Sequence, residues 1–252
     1  MTGPRGEPAL SSMAALLAEP ARAKMLLALV DGRALAASVL ADEAGVAAPT
    51  ASAHLGRLRE AGLVEVEQSG RHRYHRLASP QVAHALEALA ALAPAEPIKS
   101  LRQHTRAAAL RSARSCYDHL AGQLGVALTA ALLDRGALVP TDGLPHTGRR
   151  AGDPLSAPVP RHPYRLGEHA GEVMALLGVD TAILTENGSR RPLLRFCLDW
   201  SEQRHHLGGR LGAAVLTALL DQDWLTRTRR RRALELTDMG ARELRSRLGL
   251  DV

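Results

Sequence analysis

Cys116 and Cys197 are the only cysteines in 252 residues, and each begins the same three-residue pattern, Cys-x-Asp. Cys116-Tyr117-Asp118 is followed at once by His119, whereas Cys197-Leu198-Asp199 reaches His206 after six further residues, Trp200 to His205. Two thiolates and two imidazoles are a tetrahedral donor set that zinc or another soft divalent ion accepts. Asp199, Asp118 and His205 stand near enough in sequence to be further ligands or outer partners of the histidines. If one helix covered Cys116 and His119, the i, i+3 spacing would put both on one face. Two other readings use the same residues. The thiols could join as a disulfide on oxidation, which needs Cα atoms within about 7 Å. Alternatively the cysteines are small buried hydrophobes, the histidines bond within the core, and a pocket between two halves takes an organic ligand.

The elements that must position these groups repeat. His119-Leu120-Ala121-Gly122-Gln123-Leu124-Gly125 recurs as His206-Leu207-Gly208-Gly209-Arg210-Leu211-Gly212, and 119–138 against 206–225 gives eleven identities in twenty positions. Each copy continues alike. A helix is expected to run to Asp134 or Asp221, a short strand follows at Ala137-Leu138-Val139 or Trp224-Leu225-Thr226, and a hairpin returns at Tyr164-Arg165-Leu166 or Leu234-Glu235-Leu236. A last helix closes each copy before Asp180 and Asp251. The pattern predicts two winged-helix-like halves, about 116–180 and 197–251, around a pseudo-twofold axis that would bring the Cys and His pairs together. One hairpin tip, Pro140 to Pro163, is rich in Pro and Gly and reads as a long mobile loop. The other is short and carries Arg227 and Arg229 to Arg232, either a DNA-phosphate contact or a solvated tip.

Composition narrows the classes. Hydrophobic residues make up 46% of the chain but aromatics only 2%, so the core must be Leu, Ala and Val. A net charge of +6 favours a polyanionic partner, although nearly all the cations are arginine, a bias that base composition alone can produce. No secretory leader and no apolar run of membrane-spanning length is evident, and two cysteines do not make a secreted disulfide scaffold. A cytoplasmic protein without a membrane partner is expected.

Towards the amino terminus, Leu40-Ala41-x-x-Ala44-Gly45-Val46 reads as a helix ended by a glycine in a left-handed turn. Pro49 and Thr50 open a second helix, with Ala51, Leu55 and Leu58 at i, i+4 and i+7 towards a core. After Gly62, Leu63 to Glu67 alternates as a strand, Ser69-Gly70 turns it, and Arg71 to Leu77 returns. This run, with Thr50-Ala51-Ser52-x-His54-Leu55-x-x-Leu58-x-x-Ala61-Gly62-Leu63-Val64, resembles the winged helix-turn-helix of the ArsR/SmtB transcriptional regulators over roughly residues 10–92. It departs at Ala47, where the family usually has serine, so the recognition helix lacks a side-chain cap worth about 0.5–2 kcal/mol. The family's own metal sites are not expected here. Val39 to Ala44 contains no cysteine, and the flanking helix offers only His84.

The resemblance implies a fold that is mainly α with small β-hairpin wings, DNA as partner, a homodimer, and repression. Within 1–93, the expected DNA-binding and dimerisation domain, Arg57 is placed to pair with guanine, and Thr50 and His54 to meet base edges. Pro49 and Ala53 share that outward face. Ser52 and Arg59 suit phosphate, and Arg71, His72 and Arg73 in the wing suit the neighbouring backbone or minor groove. Leu10, Met13 and Leu17 before the motif, and Val82, Leu86 and Leu89 after it, form apolar stripes expected to pair across a dimer, setting half-sites about one helical turn apart. Ala93 to Pro97 marks a stiff junction. Residues 98–252 then form a C-terminal effector domain, answering to a small molecule or a metal.

Other classes fit less well. The chain has no G-x-x-x-x-G-K-[ST], H-E-x-x-H or G-x-S-x-G, and a Cys116–His119 nucleophilic pair would lack an oxyanion hole, so no enzyme is expected. A thiol- or metal-responsive sensor using Cys116 and Cys197 is one alternative, and a non-specific architectural DNA binder is the other.

Overall fold

A computed structural model describes residues 9–69, 72–94, 101–153, 157–159, 163–186, 188–189, 191–228 and 232–252. Arg71, Gly70, Ala95 to Pro97 and Arg229 to Arg231 lie outside the described residues. The chain is a mixed, mostly helical fold with several small hairpins, divided into two compact units at 1–86 and 87–252. Among the described residues no helix is long and apolar enough to cross a membrane.

The first unit is a winged helix-turn-helix. Helices α1 (Leu10–Leu17) and α2 (Pro20–Leu29) lead into a short strand β1 (Leu35–Ala36), helices α3 (Ala37–Ala44) and α4 (Ala48–Glu60), and strands β2 (Val64–Ser69) and β3 (His72–Leu77). Helix α5 (Pro80–Leu92) follows, and the division between units falls within it. Glu19 accepts from the Ala21 N–H at the start of α2, where Pro20 has no donor to leave orphaned. Gly45 ends α3 with φ of 72°, and its N–H bonds back to the Ala41 carbonyl at 2.9 Å. A β-carbon is strained in that conformation, which explains glycine between the two helices. The sheet runs β1-β3-β2, all antiparallel, with Val66 opposite His75 in the wing. The core is Met25, Leu26, Leu29, Leu40, Leu55 and Leu58, aliphatic as the composition requires.

The second unit opens with α6 (Leu101–Ser112), a hairpin of β4 (Arg114–Cys116) and β5 (His119–Ala121), and α7 (Gly122–Asp134). Strands β6 (Leu138–Pro140), β7 (Ala157–Pro158) and β8 (Tyr164–Leu166) follow, then α8 (Ala170–Leu176) and a 3-10 turn over Thr181–Leu184. A second hairpin, β9 (Arg195–Leu198) with β10 (His205–Gly208), leads into α9 (Gly209–Asp221). Strands β11 (Leu225–Arg227) and β12 (Leu234–Leu236) and helix α10 (Asp238–Leu248) complete the chain. One apolar cluster serves the whole unit, joining Leu124, Leu128 and Leu132 of α7 to Leu211, Val215 and Leu219 of α9, with Phe196, Met174 and Trp224 around them.

Two expectations change here. Cys116 and His119 do not share a helix face; they face each other across the β4–β5 pairing, joined by the two-residue turn Tyr117-Asp118. Tyr117 takes the positive φ, 57°, that such a tight reversal requires. The described part of the loop after Pro140 is bonded rather than loose. Arg150 reaches the Asp142 carboxylate at 2.6 Å and the carbonyls of Leu144 and His146, while the backbone N–H of His205 bonds Thr147 O at 2.7 Å.

Candidate nucleic-acid interface and metal centre

Helix α4 turns two unlike faces to its surroundings. Ala51, Leu55 and Leu58 are buried, whereas Pro49, Thr50, Ser52, Ala53, Arg57 and Arg59 are exposed. The side chain of Ala47 makes no cap, so the first amides of α4 have no side-chain partner from that position. His54 is half-buried, and its Nδ1 lies 3.4 Å from Nη1 of Arg22. Arg22 itself is buried, donating to Leu16 O at 2.7 Å and Ala15 O at 3.0 Å, so it ties α1 to α2 and braces His54 from behind. Sequence reasoning missed Arg22, because an arginine in an alanine-rich helix gives no sign that it will be buried.

Positive charge gathers beside this helix. Burial first, then Arg59 and Arg73, push the His75 imidazole below its usual range, so charges from α4 and β3 converge at the base of the wing. Arg73 is exposed. Arg76 is instead paired with Glu65 at 2.7 Å across the wing. His72 lies on β3, and Arg71 falls outside the described residues. In the flanking stripes, Leu10 and Leu89 are 75% and 47% exposed, Met13, Leu17 and Val82 are half-buried, and Leu86 is already buried within the chain. Of the arginine run, Arg227 is exposed, but Arg232 is buried. It pairs with Glu87 and donates to Ser115 O at 3.2 Å, so it is not part of a solvated tip.

The second unit brings together four of the predicted metal-site residues. Cys116 stands opposite His119 in one hairpin and Cys197 opposite His206 in the other. One donor atom from each lies within 4.8 Å of all the rest, and all four residues are buried. The two imidazoles stack with ring centres 5.2 Å apart. Both thiols are free. The hydrogen bond to Cys197 and then burial push the Cys116 thiol up, while burial pushes His206 down to about 3. Nε2 of His119 and Nε2 of His206 are buried without a hydrogen-bond partner, while Nδ1 of each ring lies 3.5 Å from a carboxylate, that of Asp118 and Asp199 respectively. A buried Cys2His2 cluster of this kind can bind a metal such as zinc.

The other two predicted residues, Asp199 and His205, lie beside this cluster with different partners. Asp199 accepts from Arg114 Nη2 at 2.9 Å, from the Gly122 N–H at 2.7 Å and from Ser201. Burial opposes its ionisation, but Arg114 and His206 outweigh it and hold the carboxyl well below the usual range. His205 neighbours His206 on a strand, so it points to the opposite face. There its nitrogens meet Tyr164 Oη at 2.9 Å and Asp153 Oδ2 at 2.8 Å. Asp118 lies outside the four as well, bonded by Arg191 Nη2 at 2.7 Å. Burial raises its carboxyl, but Arg191 more than offsets that and brings it to about 2.

The motif and its length agree with known proteins. Residues 17–67 match the model of a helix-turn-helix domain. The HTH-type transcriptional regulator YdfF of Bacillus subtilis strain 168 is 36% identical over 233 residues, covering 92% of this chain and 94% of that protein. Among solved structures, the transcriptional repressor BigR of Xylella fastidiosa is 28% identical, covering 34% of this chain and 88% of that one, with a TM-score of 0.32. The cadmium sensor CmtR of Mycobacterium tuberculosis is 30% identical over 36% of this chain and 99% of its own, with a TM-score of 0.28. With an amino-terminal winged helix-turn-helix and a near-full-length likeness to YdfF, the chain belongs to the HTH-type transcriptional regulators, and it carries a further C-terminal unit.

Proposed function

We propose that this regulator binds DNA as a homodimer, reads bases with the outer face of α4, and is controlled by an effector acting on its second unit. The observation that carries the reading is α4 itself: Ala51, Leu55 and Leu58 anchor one side while Thr50, Ser52, Ala53 and Arg57 are exposed on the other. Arg57 suits bidentate pairing with guanine, and Thr50 and His54 suit neighbouring base edges. Ser52, Arg59 and the wing residues Arg71, His72 and Arg73 suit phosphate, which fixes register without reading sequence. Exposed Leu10 and Leu89, with Met13, Leu17 and Val82 near them in sequence, supply apolar surface for a second copy of the chain. Effector control would then alter the spacing of two recognition helices, a coupling of about 1–3 kcal/mol.

In this reading residues 1–93 bind DNA and dimerise, and 98–252 form the effector domain from two related halves. Support for the halves comes from matched positions. Each hairpin sets a cysteine opposite a histidine. Gly122 and Gly209, which follow the hairpins, take φ of 80° and 75°. A β-carbon at Gly125 or Gly212 would lie 2.6 or 2.5 Å from the carbonyl oxygen of Leu120 or Leu207.

The test is fluorescence anisotropy on a duplex enriched from a random pool, against its scrambled form at matched salt. Specific binding tighter by about a thousandfold or more is expected. Arg57→Ala should relax the preference by about 1–3 kcal/mol, and Arg73→Ala should weaken all duplexes alike and lower the salt slope by about one. Equal binding to both duplexes would identify an architectural binder instead.

A further inference from the structure

We propose that Cys116, His119, Cys197 and His206 form a closed tetrahedral site for one thiophilic divalent cation of the zinc type. Zinc bonds of about 2.3 Å to sulfur and 2.0–2.1 Å to nitrogen place neighbouring donors somewhat under 4 Å apart. The four donors already lie within 4.8 Å of one another, so small side-chain rotations bring them to an ion. Hard cations are disfavoured, because they require oxygen donors and none is among the four.

Three independent features point to an ion rather than to plain core packing. Buried polar atoms in folded proteins nearly always have partners, yet Nε2 of His119 and Nε2 of His206 both lack one. A metal-bound imidazole usually presents its other nitrogen to a carboxylate, and here Nδ1 of His119 lies 3.5 Å from Asp118 and Nδ1 of His206 lies 3.5 Å from Asp199. The charges also balance. Asp118 is matched by Arg191 and Asp199 by Arg114, so two thiolates and one dication leave the buried cluster neutral.

The ion would staple one hairpin to another from a sequence-distant part of the same unit. Strands of three or four residues are not stable as isolated hairpins, so the binding energy of such a site becomes folding energy. With four buried protein donors the site has no open position for a substrate or water, the mark of a structural ion rather than a catalytic one.

The test uses full-length protein isolated without chelator. Elemental analysis should find one zinc per chain, with both thiols resisting alkylation until the protein is denatured. Cobalt loading should give the intense visible bands of a tetrahedral ion together with sulfur-to-cobalt charge transfer. C116S/C197S should lose both signals, and because that variant can misfold, Asp118→Asn provides a second measure. It should keep the fold while weakening cobalt affinity by about 10–100-fold in chelator competition. Substoichiometric zinc after loading with both thiols reactive, a six-coordinate cobalt spectrum, or a Cys116–Cys197 disulfide in fresh protein would each overturn the assignment. None of these readouts involves DNA, so the site can fail while the regulator reading stands, and the reverse.

Discussion

Asp199→Asn is the most informative single change to the second unit, because it replaces a carboxylate by a group of the same shape. One oxygen, Oδ1, accepts from Arg114 Nη2 at 2.9 Å, Ser201 N at 2.9 Å, Ser201 Oγ at 2.8 Å and Glu202 N at 3.2 Å, while Oδ2 accepts from Gly122 N at 2.7 Å. An amide cannot reproduce this. Whichever way it is turned, its NH2 meets a backbone N–H or a guanidinium, donor against donor. Arg114 is 1% exposed and would keep its charge without a counter-ion. Removing one partner of a buried pair costs about 3–5 kcal/mol, because the remaining charge is left uncompensated. At about 2–4 °C per kcal/mol for a chain of this size, the melting temperature should fall by about 6–20 °C. Urea denaturation of wild type, Asp199→Asn, Arg114→Met and the double variant, at equal metal content, measures the coupling directly. The double variant should recover part of the loss, since paired apolar replacements relieve the stranded charge. A loss below about 1 kcal/mol for Asp199→Asn, or strict additivity in the cycle, would refute the reasoning.

Three further outcomes follow from local geometry. Ala47→Ser supplies the missing cap of α4 and should raise stability by about 0.5–2 kcal/mol in denaturant titration, without loss of DNA affinity. Gly122→Ala places a β-carbon 2.6 Å from Arg111 O at a φ of 80°, so hydrogen exchange and thermal melts should show destabilisation beyond about 1 kcal/mol. The Tyr164 phenol is pushed up to about 12, mainly by burial, with its hydroxyl 2.8 Å from His146 O. Between its ordinary value near 10 and that raised one, the folded chain keeps a proton that the unfolded chain has lost. Stability contributed by the phenol is therefore complete below pH 10 and lost as pH rises towards 12. Tyr164→Phe should flatten the urea midpoint's dependence on pH across that window, and parallel profiles for the two proteins would exclude the linkage.

The order of helices, turn and wing in the first unit was readable residue by residue. Ala51, Leu55 and Leu58 repeat with helical period across eight residues of the thirteen-residue α4, which decides both the element and its buried face. Gly45 declared a left-handed turn because other residues are strained there. Hairpin returns at Tyr164–Leu166 and Leu234–Leu236 were likewise local, set by apolar alternation after a helix end. That Cys116, Cys197, His119 and His206 could form one donor set was suggested by two recurring motifs, Cys-x-Asp and His-Leu-x-Gly-x-Leu-Gly, although the spacing between them differs.

What sequence could not decide was the geometry of those four residues. Three-residue strands carry no period, so nothing local distinguished a hairpin at Cys116–His119 from a helical turn. The choice came from strand pairing and from packing against β10, far away in the chain. His205 and His206 look equivalent in sequence, yet alternation along β10 sends one to Tyr164 and Asp153 and the other to the cysteines. Arg232 reads as one more solvated cation until Glu87 and Ser115 are found around it. Periodicity and turn chemistry act over a few residues and are written in order. Burial, charge pairing and donor geometry arise between segments that meet only when the chain has folded.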